Sequence, residues 1–155
     1  MLVLPGHAPG HLCLQGSDHV VGGDLLIAGI TPNPIFEVGP SGRRPSLQEY
    51  RTSLARVRRL PVVTWLPGHR ECIEDPLSLI ASYEHQMTRR QARLLSLLQA
   101  GPKSAFSLSQ DLFPLASGAD PFLAISETLG QLDGLLTSGS ARTFAEAHEI
   151  LFAAV

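Results

Sequence analysis

A short apolar run that ends in Pro-Gly-His occurs twice in this chain, at residues 2–7 and again at residues 62–69, and between them a third apolar run closes on Gly22-Gly23-Asp24. Gly and Pro punctuate strands because one takes left-handed conformations and the other lacks an amide proton, so each chemically capable residue falls in the loop at a strand end. Loops in that position carry function more often than the elements they connect. The first of them, Pro5-Gly6-His7-Ala8-Pro9-Gly10-His11, sets two histidines in one tight turn.

The rest of the chain follows from the same local signals. Residues 11–14 and 19–21 are apolar stretches around Gly16-Ser17-Asp18 and predict a hairpin. Thr31-Pro32-Asn33-Pro34 excludes a helix there, since each proline pushes the preceding residue out of the helical region. Ser46 followed by Glu49 has the form of a capping box, and Leu47, Tyr50, Leu54, Val57 and Leu60 recur at helical spacing, which predicts an amphipathic helix over 46–59. Its Arg51, Arg56, Arg58 and Arg59 suit a solvated face. Val62-Val63-Thr64-Trp65-Leu66 is β-branched and aromatic, a buried strand. Asp75-Pro76 opens a helical pattern that runs to Leu98 and is stopped by Gly101-Pro102.

Beyond that point the chain changes character. Residues 106–113 predict a short helix opened by Ser107, Asp120-Pro121 opens another through Leu136, and Gly139 ends it. Residues 141–144 and 149–154 are expected to pair as a hairpin, although Ala145-Glu146-Ala147 favours helix. Three helices followed by a hairpin is the order of a winged helix. The expected domains are therefore 1–86 and 87–155.

The charge pattern weighs against a nucleic-acid partner. The net charge is −2, and from Ala100 onward Lys103 and Arg142 face Asp111, Asp120, Glu127, Asp133, Glu146 and Glu149. An acidic segment repels a phosphate backbone instead of displacing its counterions. The helix over 120–136, which a winged helix would offer to a groove, has no Lys or Arg and carries Glu127 and Asp133. The sequence shows no membrane-length apolar run and no secretion signal, and Cys13 and Cys72 have no CxxC spacing, so a cytoplasmic chain with two reduced thiols is expected.

His7, His11, Asp24 and His69 are the residues able to carry chemistry together. Imidazole nitrogens joined by one carboxylate suit zinc, iron or manganese better than calcium or magnesium. His19, His85 and His148 lack such a setting.

Gly6-His7-Ala8-Pro9-Gly10-His11, Gly23-Asp24 and Pro67-Gly68-His69 resemble, in order and spacing, the last three metal-binding motifs of the metallo-β-lactamase superfamily. Thr31-Pro32-Asn33-Pro34, Arg43-Arg44-Pro45-Ser46 and the segment after Gly101 are similar to the branch in which a winged helix follows the hydrolase domain. The resemblance implies an α/β chain: the C-terminal αβ half of the αββα sandwich, then a winged-helix-like module. It implies that His7 is a ligand of a first metal, Asp24 the bridging carboxylate and His69 a ligand of a second, with His11 supporting them from behind. It implies hydrolysis of an ester, thioester, amide or phosphodiester.

The family's His-x-His-x-Asp-His motif does not occur in this sequence. The resemblance therefore implies a truncated hydrolase with an incomplete site, inactive as a lone chain, and a sheet face left uncovered. A homodimer is the first expectation for what covers it. A separate N-terminal half and the chain's own helices are the others. The alternative function is a non-catalytic, oligomerising remnant or interaction module.

Overall fold

The computed structural model describes residues 1–39, 42–61, 64–114 and 120–155, and the chain forms two compact units, Met1–Gln86 and Met87–Val155. Val62 and Val63, the expected start of the buried strand, lie outside the described residues, as do Pro40 and Ser41.

The first unit is built on a four-stranded mixed sheet. Strands β1 (Leu2–Val3), β2 (Leu12–Gln15) and β3 (His19–Gly23) form an antiparallel meander, and β6 (Thr64–Pro67) joins the far edge parallel to β3. The small hairpin of β4 (Val38–Gly39) and β5 (Gly42–Arg43) and helix α1 (Ser46–Val57) lie between β3 and β6 in sequence. A parallel pair needs a long crossover, and this segment supplies it. The consequence for function is direct: two parallel neighbours end at the same side of the sheet, so the residues following β3 and β6, Asp24 and His69, are brought together.

Side chains alternate across the sheet as the pleat requires. Leu4, Cys13, Val20 and Trp65 are buried on one side, where α1 contributes Leu47, Tyr50, Leu54 and Val57 and helix α2 (Pro76–Gln99) contributes Ile80 and Tyr83. On the other side Val3, Leu12, Leu14 and Val21 are between 46% and 58% exposed. Val3 pairs with Leu12 and Leu14 with Val21, so these four form two cross-strand apolar pairs open to solvent. Within this unit the described helices leave these four side chains exposed.

Helix α1 begins where expected but not in the expected way. Its N-cap is Pro45, no side chain caps it, and Ser46 is buried. Glu49 turns instead to Arg44, whose Nη1 lies 2.9 Å from Oε2. A full ionic partner next to the first turn outcompetes the neutral amide that a capping box offers. At α2 the expectation holds: Asp75 Oδ1 accepts from the Ser78 amide at 2.9 Å.

Two tyrosines tie the helices to the loop after Asp24. Tyr50 donates to the Leu25 carbonyl at 2.8 Å. Tyr83 donates to the Ile27 carbonyl at 2.6 Å and accepts from the Ile27 amide at 2.9 Å. Burial pushes the Tyr83 phenol up to about 12, against smaller opposing effects of the Ile27 bond and Arg70. A phenol whose pKa is raised on folding stabilises fully below its unfolded value of 10 and loses that contribution as pH rises toward 12. Tyr83→Phe is therefore expected to cost about 1–3 kcal/mol near neutral pH, because it orphans two buried backbone groups. In thermal melts its stability should fall less steeply than the wild type's between pH 10 and 12.

The second unit contains the rest of α2, β7 (Lys103–Ser104), α3 (Ala105–Leu112), α4 (Pro121–Thr137), β8 (Ala141–Glu146) and β9 (Glu149–Ala154). The strands form one sheet in the order β7-β9-β8. Its core is Leu94, Leu98, Leu108, Leu132, Leu135, Ala141 and Phe152. Asp120 caps α4, accepting from the Phe122 and Leu123 amides. The cap of α3 is Ser104, not Ser107: Ser104 Oγ accepts from the Ser107 amide at 3.3 Å, which starts the helix a residue earlier than the sequence suggested. The hairpin overrides the helical preference of Ala145 and Glu146, keeping an unbroken register from Ala141–Ala154 to Glu146–Glu149, with Ala147 at φ 53° in the turn.

Glu127 is not a surface acid. It is buried, with Arg90 Nη1 at 3.2 Å and Gln131 donating to the same oxygen at 2.8 Å. No helix among the described residues is long and apolar enough to cross a membrane.

Candidate metal centre at the ends of β3 and β6

Three side chains named from the sequence meet around one atom. His7 Nε2 lies 4.0 Å from Asp24 Oδ2, and His69 Nε2 lies 3.5 Å from the same oxygen. Two donors on one tetrahedral zinc with bonds near 2.1 Å stand about 3.4 Å apart, which the His69 separation matches and the His7 separation exceeds by about 0.6 Å. The other oxygen, Asp24 Oδ1, is buried with no hydrogen-bond partner among the described residues. Gly68 leaves room for it, since a Cβ there would stand 2.7 Å from Oδ1. A carboxylate held in this way lacks the protein donors that an anion ordinarily recruits.

The tautomer of His7 is fixed by its other nitrogen. Nδ1 donates to the Asn33 carbonyl at 3.0 Å, which leaves the lone pair on Nε2, the atom facing Asp24. Metal-binding histidines are commonly oriented by such a bond to a backbone carbonyl. The loop that carries His7 is clamped onto α1. Ser53 donates to the Pro5 carbonyl at 2.6 Å and Arg56 to the Val3 carbonyl at 2.7 Å. Gly6, at φ 141°, packs so closely that a Cβ would come within 2.4 Å of Tyr50 Cα.

His69 stands in a loop closed at its base by Trp65 and Ile73, which exchange two backbone bonds of 2.8 and 2.9 Å. Gly68 donates to the Gly23 carbonyl at 3.1 Å, and Arg70, at φ 67°, reaches the Ala28 carbonyl at 2.7 Å. The His69 loop is thus laced to the loop after Asp24 on both sides of the histidine. The His69 imidazole itself is 71% exposed, so the centre opens to solvent on that side.

His11 takes a different place. Its ring lies 6.3 Å from that of His7, edge to face, and its Nδ1 is 3.7 Å from Cys13 Sγ. Burial, then the neighbouring His7, lowers its pKa, with Asp24 opposing, which favours the neutral ring. Burial also raises the Cys13 thiol to about 11, which keeps it protonated. Among the described residues no group of three or more His, Cys, Asp and Glu side chains converges as a preformed metal site. The donor set at Asp24 has the right chemistry for one metal but too few ligands for a pair.

No family profile matches the chain. It is 34% identical over 156 residues to the probable metallo-hydrolase YqjP of Bacillus subtilis (strain 168), an alignment covering 98% of this chain and 49% of the relative. It therefore spans about half the length of that protein. The crystal structure of the metallo-beta-lactamase family protein TTHA1429 from Thermus thermophilus superposes with a TM-score of 0.84 at 29% identity, over 99% of this chain and 48% of that one. A beta-lactamase domain protein from Burkholderia ambifaria shares the fold, with a TM-score of 0.83 at 21% identity, over 97% of this chain and 46% of that one. In sequence and in fold the chain matches metallo-β-lactamase-family proteins, and it is a C-terminal portion of them that it fits.

Proposed function

We propose that this chain carries one side of a metal-dependent hydrolase centre of the metallo-β-lactamase type. The observation that carries it is the convergence of His7 Nε2 and His69 Nε2 on one oxygen of Asp24 whose other oxygen has no partner among the described residues. His7 and His69 would hold the metal, with Asp24 between them and His11 packed behind His7. Zinc fits the two imidazoles and one carboxylate, and iron or manganese would suit them too. The ion supplies the Lewis acidity for cleaving an ester, thioester or phosphodiester. The residues of this chain fix one nitrogen tautomer, hold the carboxylate in a site poor in protein donors, and leave the His69 side open for substrate.

A catalytic zinc takes at least three protein ligands, and a pair of ions needs more than His7, Asp24 and His69 provide. Further donors for a pair of ions would come from polypeptide beyond these residues. The apolar pairs Val3–Leu12 and Leu14–Val21 give that polypeptide a surface to cover. A homodimer and a separate N-terminal half are distinguished by mass. The order of elements in the second unit, with its three-stranded sheet, supports a winged-helix-like module. Its α4 lacks Lys and Arg and buries Glu127, which supports packing over duplex binding. Free Cys13 and Cys72 suit a reducing, cytoplasmic setting.

The test is to load the purified chain with zinc and assay thioester and phosphodiester hydrolysis. It should be run alone and with a polypeptide carrying the N-terminal half of the Bacillus relative, with mass by light scattering in each case. Turnover that appears only with the added half, and is lost in His69→Ala, is the expected result. A stable oligomer that binds no metal and never turns over would support the interaction module instead.

A further inference from the structure

The guanidinium of Arg44 lies beneath the His7 loop and is largely buried. Its Nη2 donates to the Gly6 carbonyl at 3.3 Å and lies 3.5 Å from the Ile35 carbonyl. Those two peptides flank the ones that hold the imidazole. Ile35 donates its amide to the His7 carbonyl at 3.3 Å, and His7 Nδ1 donates to the Asn33 carbonyl at 3.0 Å. One nitrogen of Arg44 thus closes a ring that runs through Gly6, His7, Asn33 and Ile35. From the opposite side the head group donates to Glu49, Nη1 lying 2.9 Å from Oε2, and pairs in charge with Glu37, whose Oε2 lies 3.3 Å from Nε without a hydrogen bond. The Arg44 amide also donates to the Glu37 carbonyl at 3.0 Å, so the arginine's own backbone is tied to the same segment.

We propose that Arg44 is a positioning residue for His7: by bridging the Gly6 and Ile35 carbonyls it keeps Asn33 where it accepts from Nδ1, and so presents the Nε2 lone pair to the oxygen of Asp24. The proposal rests on the metal-site function above for its purpose but not for its geometry. A planar fork lets Nη2 face the two carbonyls while Nη1 donates to Glu49, and lysine, a point charge on a flexible stem, cannot reach both sides together. The groups that Arg44 holds belong to the His7 loop and the segment around Asn33, so its effect reaches the centre through His7.

The experiment uses the full 155-residue chain and two readouts. The first is the 15N and 1H imidazole spectrum at pH 8 without metal, which reports which nitrogen of His7 bears the proton, His7→Ala assigning the signal. The second is zinc affinity by competition with a chromophoric chelator. In the wild type the His7 signal should be that of the Nδ1–H tautomer. Arg44→Met and Arg44→Lys should both shift it toward a mixture and weaken zinc binding by about 10–100-fold, the range found for groups that orient metal ligands. If the Arg44 variants do not fold, Glu37→Gln combined with Glu49→Gln frees the guanidinium and should shift the His7 signal in the same direction. An unchanged His7 tautomer in whichever of these variants folds overturns the proposal, even where the melting temperature falls. Should the wild type bind no zinc at all, the metal-site function fails while the tautomer readout still decides the role of Arg44.

Discussion

Asp24→Ala is expected to lower zinc affinity by more than about 100-fold, a larger loss than removing an orienting group produces, because it takes away the one anionic donor that both histidines face. The same change should leave the metal-free chain no less stable. Asp24 Oδ1 is buried without a protein donor among the described residues, so the carboxylate contributes no bond there that alanine would forfeit. The wild type should gain about 2.7 kcal/mol in zinc at 100 times its dissociation constant, and the variant no more than about 0.4 kcal/mol. Calorimetric scans with and without zinc read both effects at once. A variant that loses stability in the absence of metal but keeps the zinc-dependent gain would mean that Asp24 is a structural residue.

Gly22→Ala is expected to destabilise the chain by about 3 kcal/mol or more, at the upper end of what an overpacked core costs. A Cβ at this position would fall within about 2 Å of the Trp65 ring, at 1.9, 2.0 and 2.3 Å from its Cε2, Cζ2 and Nε1 atoms. Trp65 cannot step aside, since it is fully buried and its backbone is paired with both β3 and Ile73. The register between β3 and β6 shifts between Val21 and Gly23, so Gly22 is the residue that lets the parallel pair pass over the indole. Trp65→Ala alone should cost about 3–5 kcal/mol. In urea titrations the double variant should cost less than the sum by more than about 1 kcal/mol, because the clash is gone once the ring is removed. Strict additivity would show that the two residues do not meet. The consequence reaches the metal centre, since β3 and β6 are the strands that carry Asp24 and His69.

What the sequence made legible here was what neighbours in the chain decide. Proline and glycine placed His7, Asp24 and His69 in loops after strands, and Asp75 and Asp120 marked where helices start, because those signals act over two or three residues. The failures have a common physical cause in partners far along the chain or in competing local ones. Ser46 and Glu49 have the spacing of a capping box, but Arg44 offered Glu49 a charged partner. Glu127 reads as a surface acid in the sequence because Arg90, its partner, stands thirty-seven positions away. The clamps that hold the centre, Tyr83 on Ile27 across fifty-six positions and Ser53 on Pro5 across forty-eight, leave no periodicity to detect. The same holds for Asn33, whose carbonyl fixes the His7 tautomer from inside a proline-rich segment to which the sequence assigned no contact with His7.

The central claim is that His7, Asp24 and His69 together bind a metal, and zinc K-edge X-ray absorption of the chain carrying one equivalent of zinc tests it most directly. Two imidazole nitrogens at about 2.0–2.1 Å with oxygen filling the remaining positions, the imidazole signal falling by half in His69→Ala, is the predicted result. A sulfur shell at about 2.3 Å, pointing to Cys13 or Cys72, or a spectrum of zinc bound only by water, would contradict it.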